Sequence, residues 1–191
     1  MARESTFKNM VLTLLVVSLV ASAALAAVYM VTLKPIELAK EKKTNDAIQK
    51  VVPAFDNNPG EEMYKIAADG DTLKLYPARK DGKLVGTAIE TFTNKGFGGR
   101  FTLMVGLLPD GTISSIEVLG HKETPGLGDK MERSKSSFSV QFDGKNPETF
   151  KMAVKKDGGD VDAITASTIT SRAFTDAVQR AYDAYKKGGK Q

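Results

Sequence analysis

RFTLMVGLLPDGTISSIEVLG, residues 100–120, is two strands and a turn in one line of sequence. Arg100–Leu108 and Thr112–Gly120 are short, partly alternating and rich in β-branched and aromatic residues, as a half-buried strand requires. Pro109-Asp110-Gly111 between them is turn chemistry: Pro presets the first turn angle and Gly accepts a positive φ. An antiparallel hairpin is therefore expected here. Outward from it, TLKLYPA (72–78), GTAIETFT (86–93) and SFSVQF (137–142) have the same character, and all three are read as strands. Asp69-Gly70, Asp81-Gly82 and Asp143-Gly144 supply further turn signals. Beyond the strands, Arg172–Lys187 carries Phe174, Ala177, Val178, Ala181, Tyr182 and Tyr185 at helical spacing, with Lys186-Lys187 suiting the negative end of the helix dipole and Gly188-Gly189 ending it. The expected class is α+β.

The hydrophobic content of 41% is unevenly spread. MVLTLLVVSLVASAALAAVYMV, Met10–Val31, holds no charged residue, and at about 1.5 Å per residue it matches the hydrocarbon core of a bilayer. A cleaved signal peptide competes, because ASA and ALA are small-x-small sites. The run continues past both, which favours a retained anchor. Arg3 and Lys8 precede the span and Lys34, Lys40, Lys42 and Lys43 follow it, so charge counting leaves the orientation open. The organisation expected is a short tail (1–9), a transmembrane anchor (10–32), a helical linker (33–60) stopped by Pro53, and one domain (61–191). Within the linker, Ile36, Ala39, Ala47 and Val51 form a loose apolar stripe.

Composition removes several chemistries. The chain has 191 residues, no cysteine and one histidine, His121. Disulfides, thiolate catalysis and Cys-ligated metal centres are excluded. A hydrolase built on Ser167 or Ser171 lacks a triad. The net charge of +4 is spread among interleaved acids and bases, without a nucleic-acid stripe.

Two stretches carry chemistry. GHKETPGLGDK, Gly120–Lys130, leaves a strand with three glycines and Pro125; Glu123 and Thr124 are polar handles, Leu127 an apolar one, and His121 reads as a loop histidine. DVDAITASTITSRAFTDAV, residues 160–178, crowds Thr165, Ser167, Thr168, Thr170 and Ser171 at the start of the C-terminal helix. One cap needs one hydroxyl. The surplus suits either over-capping or a phosphate at a helix N-terminus, with Lys155 and Lys156 close in sequence.

Asp162, Thr165 and Thr168, within DAITASTITSRA, resemble the flavin-attachment motif of the FMN-binding domain family. HKETPGLGDK, KKDGGDVDAITASTITSRA, QKVVPAFD and GFGGRFTLMVGLLPDGTI together resemble the G-subunit family of Rnf electron-transport complexes. The C subunits of sodium-translocating NADH:quinone reductases are near relatives. The resemblance implies FMN held covalently through its phosphate on Thr168, with Ser167 and Thr170 as lesser acceptors and Thr165 as a motif residue. It implies that Glu123, Thr124, Gly126, Leu127 and Gly128 lie near the flavin ring or ribityl chain, and that Lys155 or Lys156 contacts the flavin or its phosphate. Asp162 is then a recognition residue for a flavin transferase, which takes FMN from FAD with a divalent metal. The implied setting is the outer face of the cytoplasmic membrane, single-pass, among the other membrane subunits of a complex coupling ferredoxin/NAD redox chemistry to ion transport. The family's usual Gly-Ala before the threonine is Ala166-Ser167 here, the one feature that speaks for a flavin-free assembly module instead.

Overall fold

The computed structural model describes residues 6–68 and 70–188. Arg3, Asp69 and Gly189 lie outside the described residues. The chain divides into two compact units after Lys42.

The first unit is the body of helix α1, which runs Phe7–Val51 and ends in the second unit. Leu12, Leu14, Val17, Leu19, Val20 and Leu25 are all exposed, so the apolar surface extends around the helix and not along one stripe. A helix apolar on every side is suited to lipid or a large core. This one is long and apolar enough to cross a membrane, and none of its most apolar stretch is buried. Pro35 lies inside it. Of the expected linker stripe, Ile36 and Ala39 are exposed, whereas Ala47 and Val51 are buried in the second unit, together with Ile48.

The second unit is a five-stranded antiparallel meander in sequence order: β1 (Tyr64–Ala68), β2 (Asp71–Lys80), β3 (Lys83–Gly96), β4 (Gly99–Leu107) and β5 (Ile113–Gly120). The expected hairpin is β4–β5, in which Leu103 pairs with Val118 and Val105 with Ile116. Period-2 alternation divides the side chains between two faces. Leu73, Leu75, Ile89, Leu103, Val105 and Leu107 face helix α2 (Thr168–Gly188), which offers Phe174, Ala177, Val178, Ala181 and Tyr185. Each large apolar side chain buried there contributes roughly 1.5–3 kcal/mol. Thr91, buried under the helix, donates its hydroxyl to the Ala177 carbonyl at 2.9 Å. On the other face Tyr76, Ala78, Ala88 and Met104 pack with Ala47, Ile48, Val51 and Val52. Gly106 permits that packing, because a Cβ there would overlap the Val51 carbonyl.

Two readings are corrected. SFSVQF is not a strand: Phe138–Phe142 is a 3-10 helix. A strand would set Phe138, Val140 and Phe142 on one face. Instead, Phe138 and Phe142 are buried and Val140 is 40% exposed. Both phenylalanines pack on Phe174 of α2, with ring centroids 5.2 Å away, so tertiary packing overrides the alternation. Asp143-Gly144 is consequently a turn after that helix, where the Gly144 amide donates to the Ile113 carbonyl at 2.8 Å. The second correction is β1, a strand not foreseen in YKIAA. It is five residues long and pairs with β2 along one edge of the sheet.

Candidate functional site

Three segments converge at one end of the sheet: the β3–β4 hairpin tip at Phe97, the loop leaving β5, and the first turn of α2. They enclose a pocket of about 310 Å³ whose lining includes Phe97, Glu123, Leu127, Gly128, Thr168 and Ile169. Thr124, Ala166, Ser167 and Thr170 complete it. That volume is at the lower end of small-ligand sites, which run from about 300 Å³ upward.

The hydroxyl surplus has separate uses. Ser171 Oγ accepts the Ile164 amide at 2.9 Å and donates to the Ser167 carbonyl at 3.0 Å, locking the approach to the helix. Ser167 Oγ donates to Thr170 Oγ1 at 2.9 Å, and Thr170 Oγ1 donates to Glu123 Oε2 at 2.7 Å. Ser167, Thr170 and Ser171 are all buried. Thr168 differs: it is half-buried, faces the pocket, and among the described residues its hydroxyl has no hydrogen-bond partner. It is also the first residue of α2. The first amides of a helix have no intrahelical acceptor, and with the helix dipole they favour an anion at this end. Thr165 is exposed and lies outside the pocket lining.

Ala166 holds a φ of +61°, left-handed backbone that L residues rarely adopt. The turn into α2 demands this conformation, which explains why a glycine is at home in the position. Ser167, the other departure, is absorbed into the Thr170–Glu123 network.

Glu123 is 6% exposed. Its Oε1 accepts the Gly98 amide at 2.9 Å, while Oε2 accepts Thr170. The carboxylate fits only because its neighbours lack side chains: a Cβ on Gly96 would lie 2.6 Å from Oε1, and one on Gly128 would lie 2.9 Å from Thr170 Oγ1. His121 stands behind it. The Glu123 amide donates to His121 Nδ1 at 3.0 Å, so Nε2 carries the ring proton and donates to Glu132 Oε1 at 2.6 Å. That contact with His121 holds the Glu132 carboxyl below the usual carboxylate range. Lys135, 2.9 Å from Asp129, does the same for Asp129.

The remaining expected residues are elsewhere. Lys155 pairs with Asp162 at 2.7 Å, and both are exposed. Lys156 is exposed, and neither lysine lines the pocket, nor does Gly126. The structure adds Phe97, Ala166 and Ile169 to the lining. Phe97 is 70% exposed and Ile169 is 50% exposed. The available signal for Phe97 was a large apolar residue between two glycines at a hairpin tip.

Residues 96–183 match the FMN-binding domain family. The chain is 33% identical over 183 residues to the G subunit of the ion-translocating oxidoreductase complex of Vibrio cholerae serotype O1 (strain M66-2), covering 90% of this chain and 87% of that protein. It is 38% identical over 177 residues to the same-named protein of Erwinia tasmaniensis, covering 88% and 84%. With that of Aliivibrio fischeri (strain MJ11) it shares 33% over 194 residues, covering 95% and 91%. The chain belongs to the G-subunit family of ion-translocating oxidoreductase complexes, with an FMN-binding domain across residues 96–183.

Proposed function

We propose that this protein is a membrane-anchored electron-transfer subunit that carries FMN on Thr168 through a phosphoester bond. The observation that carries the attachment is the placement of Thr168. Within the hydroxyl cluster it alone combines a place in the pocket with a hydroxyl free of partners among the described residues, and it opens α2. The pocket suits the group. Phe97, Leu127 and Ile169 offer apolar surface for a flavin ring, and Thr168 opens α2, where the unpaired first amides of a helix favour a phosphate.

Thr168 would acquire the cofactor by phosphoryl transfer. Its Oγ1 would form a bond to the FMN phosphorus of FAD as the pyrophosphate P–O bond to AMP breaks, with loss of the hydroxyl proton. An unactivated threonine hydroxyl is a weak nucleophile, so a separate flavin transferase with a divalent metal performs the step. The exposed Asp162–Lys155 pair lies outside the pocket, where an enzyme can reach it, and Asp162 serves transferase recognition. FMN, when bound, would supply the electron-transfer chemistry, and the chain would bind it, orient it and shield it from water. Glu123, Thr124, Gly128, Ser167 and Thr170 form the wall around it.

The apolar part of α1 anchors the protein in a single pass, with the flavin domain on the outer face of the cytoplasmic membrane. A covalent tether suits that side, where a lost FMN is not replaced. The names of the relatives support a place among other subunits of an ion-translocating oxidoreductase complex, one coupling ferredoxin/NAD chemistry to ion transport.

The test is in-gel fluorescence of full-length protein co-expressed with a flavin transferase. Wild type is expected to give a fluorescent band on a denaturing gel and Thr168→Val a dark one. Equal fluorescence in both would refute Thr168 as the attachment residue.

A further inference from the structure

We infer that Glu123 is the positioning residue of the attachment site: its carboxylate ties the pocket wall to the first turn of α2 and is itself part of the pocket lining. The inference rests on the FMN reading above. It goes beyond that reading by giving Glu123 a role through other residues, not as a flavin contact alone.

The geometry leaves the carboxylate little freedom. Oε1 is taken by the Gly98 amide of the β3–β4 tip, and Oε2 by the Thr170 hydroxyl of α2. One side chain thus ties together three segments that touch the pocket. Thr170 passes the tie to Ser167, which flanks Thr168. Both donors point at the carboxylate, so it serves as an acceptor on each oxygen. A buried polar network is strong when every member is satisfied and costly when one is removed. The carboxylate occupies the space that a Cβ on Gly96 or Gly128 would take, so both positions must lack a side chain. From the other side, His121 fixes the Glu123 amide.

Two consequences can be separated. As a strut, Glu123 keeps Thr168 presented, so breaking the network slows flavin loading. As a charge in the pocket, it opposes the arrival of electrons on a nearby flavin and holds its potential down. Thr170→Val breaks the strut and leaves the charge, Thr170→Ser restores the strut, and Glu123→Gln removes the charge at the same size.

The experiment uses full-length protein with a flavin transferase and FAD. It follows the loading rate by fluorescence, the flavin potential by redox titration, and apo-protein hydrogen exchange at the Gly98 amide. Glu123→Gln and Thr170→Val are expected to load at least tenfold more slowly, with Thr170→Ser close to wild type. Glu123→Gln alone is expected to shift the potential in the positive direction. In apo Glu123→Ala, Gly98 exchange is expected to accelerate at least tenfold while the β4–β5 ladder keeps its protection. Circular dichroism checks each fold, and should Glu123→Gln not fold, the Thr170 pair carries the loading test. A fluorescent wild type with variants that load equally fast and share its potential overturns this inference alone. A dark wild type overturns the FMN reading and this inference together.

Discussion

Replacing Ala166 with glycine should make the protein more stable, although it removes a methyl group. Ala166 sits at a φ of +61° on the turn into α2. An L residue in the left-handed region costs about 1–2 kcal/mol through its Cβ, a penalty that glycine lacks. The residue is exposed, so little packing is lost with the methyl. Against this gain, glycine loses more backbone freedom on folding, by about 0.4–1 kcal/mol. At the centres of these two ranges the balance is a stabilisation of roughly 0.8 kcal/mol. For a domain of this size it raises the unfolding midpoint by roughly 1–4 °C. The assay is thermal unfolding of full-length protein in detergent, without flavin, followed by circular dichroism. Ala166→Val is the companion, because a β-branched residue at positive φ is strained further, and its midpoint should fall. An Ala166→Gly midpoint equal to or below wild type, together with a neutral Ala166→Val, would refute the reasoning.

Gly106→Ala should destabilise by about 1–3 kcal/mol, because the new methyl overlaps the Val51 carbonyl and backbone must shift. Thermal unfolding measures the loss, and hydrogen exchange at residues 47–51 shows whether the end of α1 has come loose. The acid limb of stability should depend on Asp129 and Glu132. Lys135 holds the Asp129 carboxyl, and His121 the Glu132 carboxyl, below its ordinary value, so both contribute stability above the unfolded carboxylate range, near pH 4. That contribution is lost as pH falls through the lower, folded-state values. Lys135→Met should therefore destabilise at pH 7 and do so much less at pH 3; an effect of equal size at both would contradict the assignment.

The sequence revealed those parts of the fold where local pattern and tertiary packing agree. The β4–β5 hairpin combines alternation with turn chemistry, and α2 carries its buried face at helical spacing, so both were legible. SFSVQF misled because its alternation is real, yet Phe138 and Phe142 are recruited from one side by Phe174, which only the fold brings near. YKIAA is not legible as a strand because so short a run carries little strand signal of its own; its pairing with β2 defines it. At the site, the hydroxyl cluster and the Glu123 loop were visible as motifs, but the division of labour among the hydroxyls was not. That division depends on Glu123 meeting Thr170, a contact 47 residues apart along the chain. Phe97 was hidden for the same reason: its place is set by the meeting of a hairpin tip with a helix end. Lys155 and Lys156, close to the motif in sequence, are turned to solvent, with Lys155 held by Asp162.

The most direct test of the account is fragment-ion mass spectrometry of the tryptic peptide Asp157–Arg172 from full-length protein matured with a flavin transferase. That peptide contains Thr165, Ser167, Thr168, Thr170 and Ser171, so a single spectrum compares every candidate acceptor. The account predicts the FMN phosphoester mass on Thr168 alone. FMN on any of the other four hydroxyls, or an unmodified peptide, would contradict it.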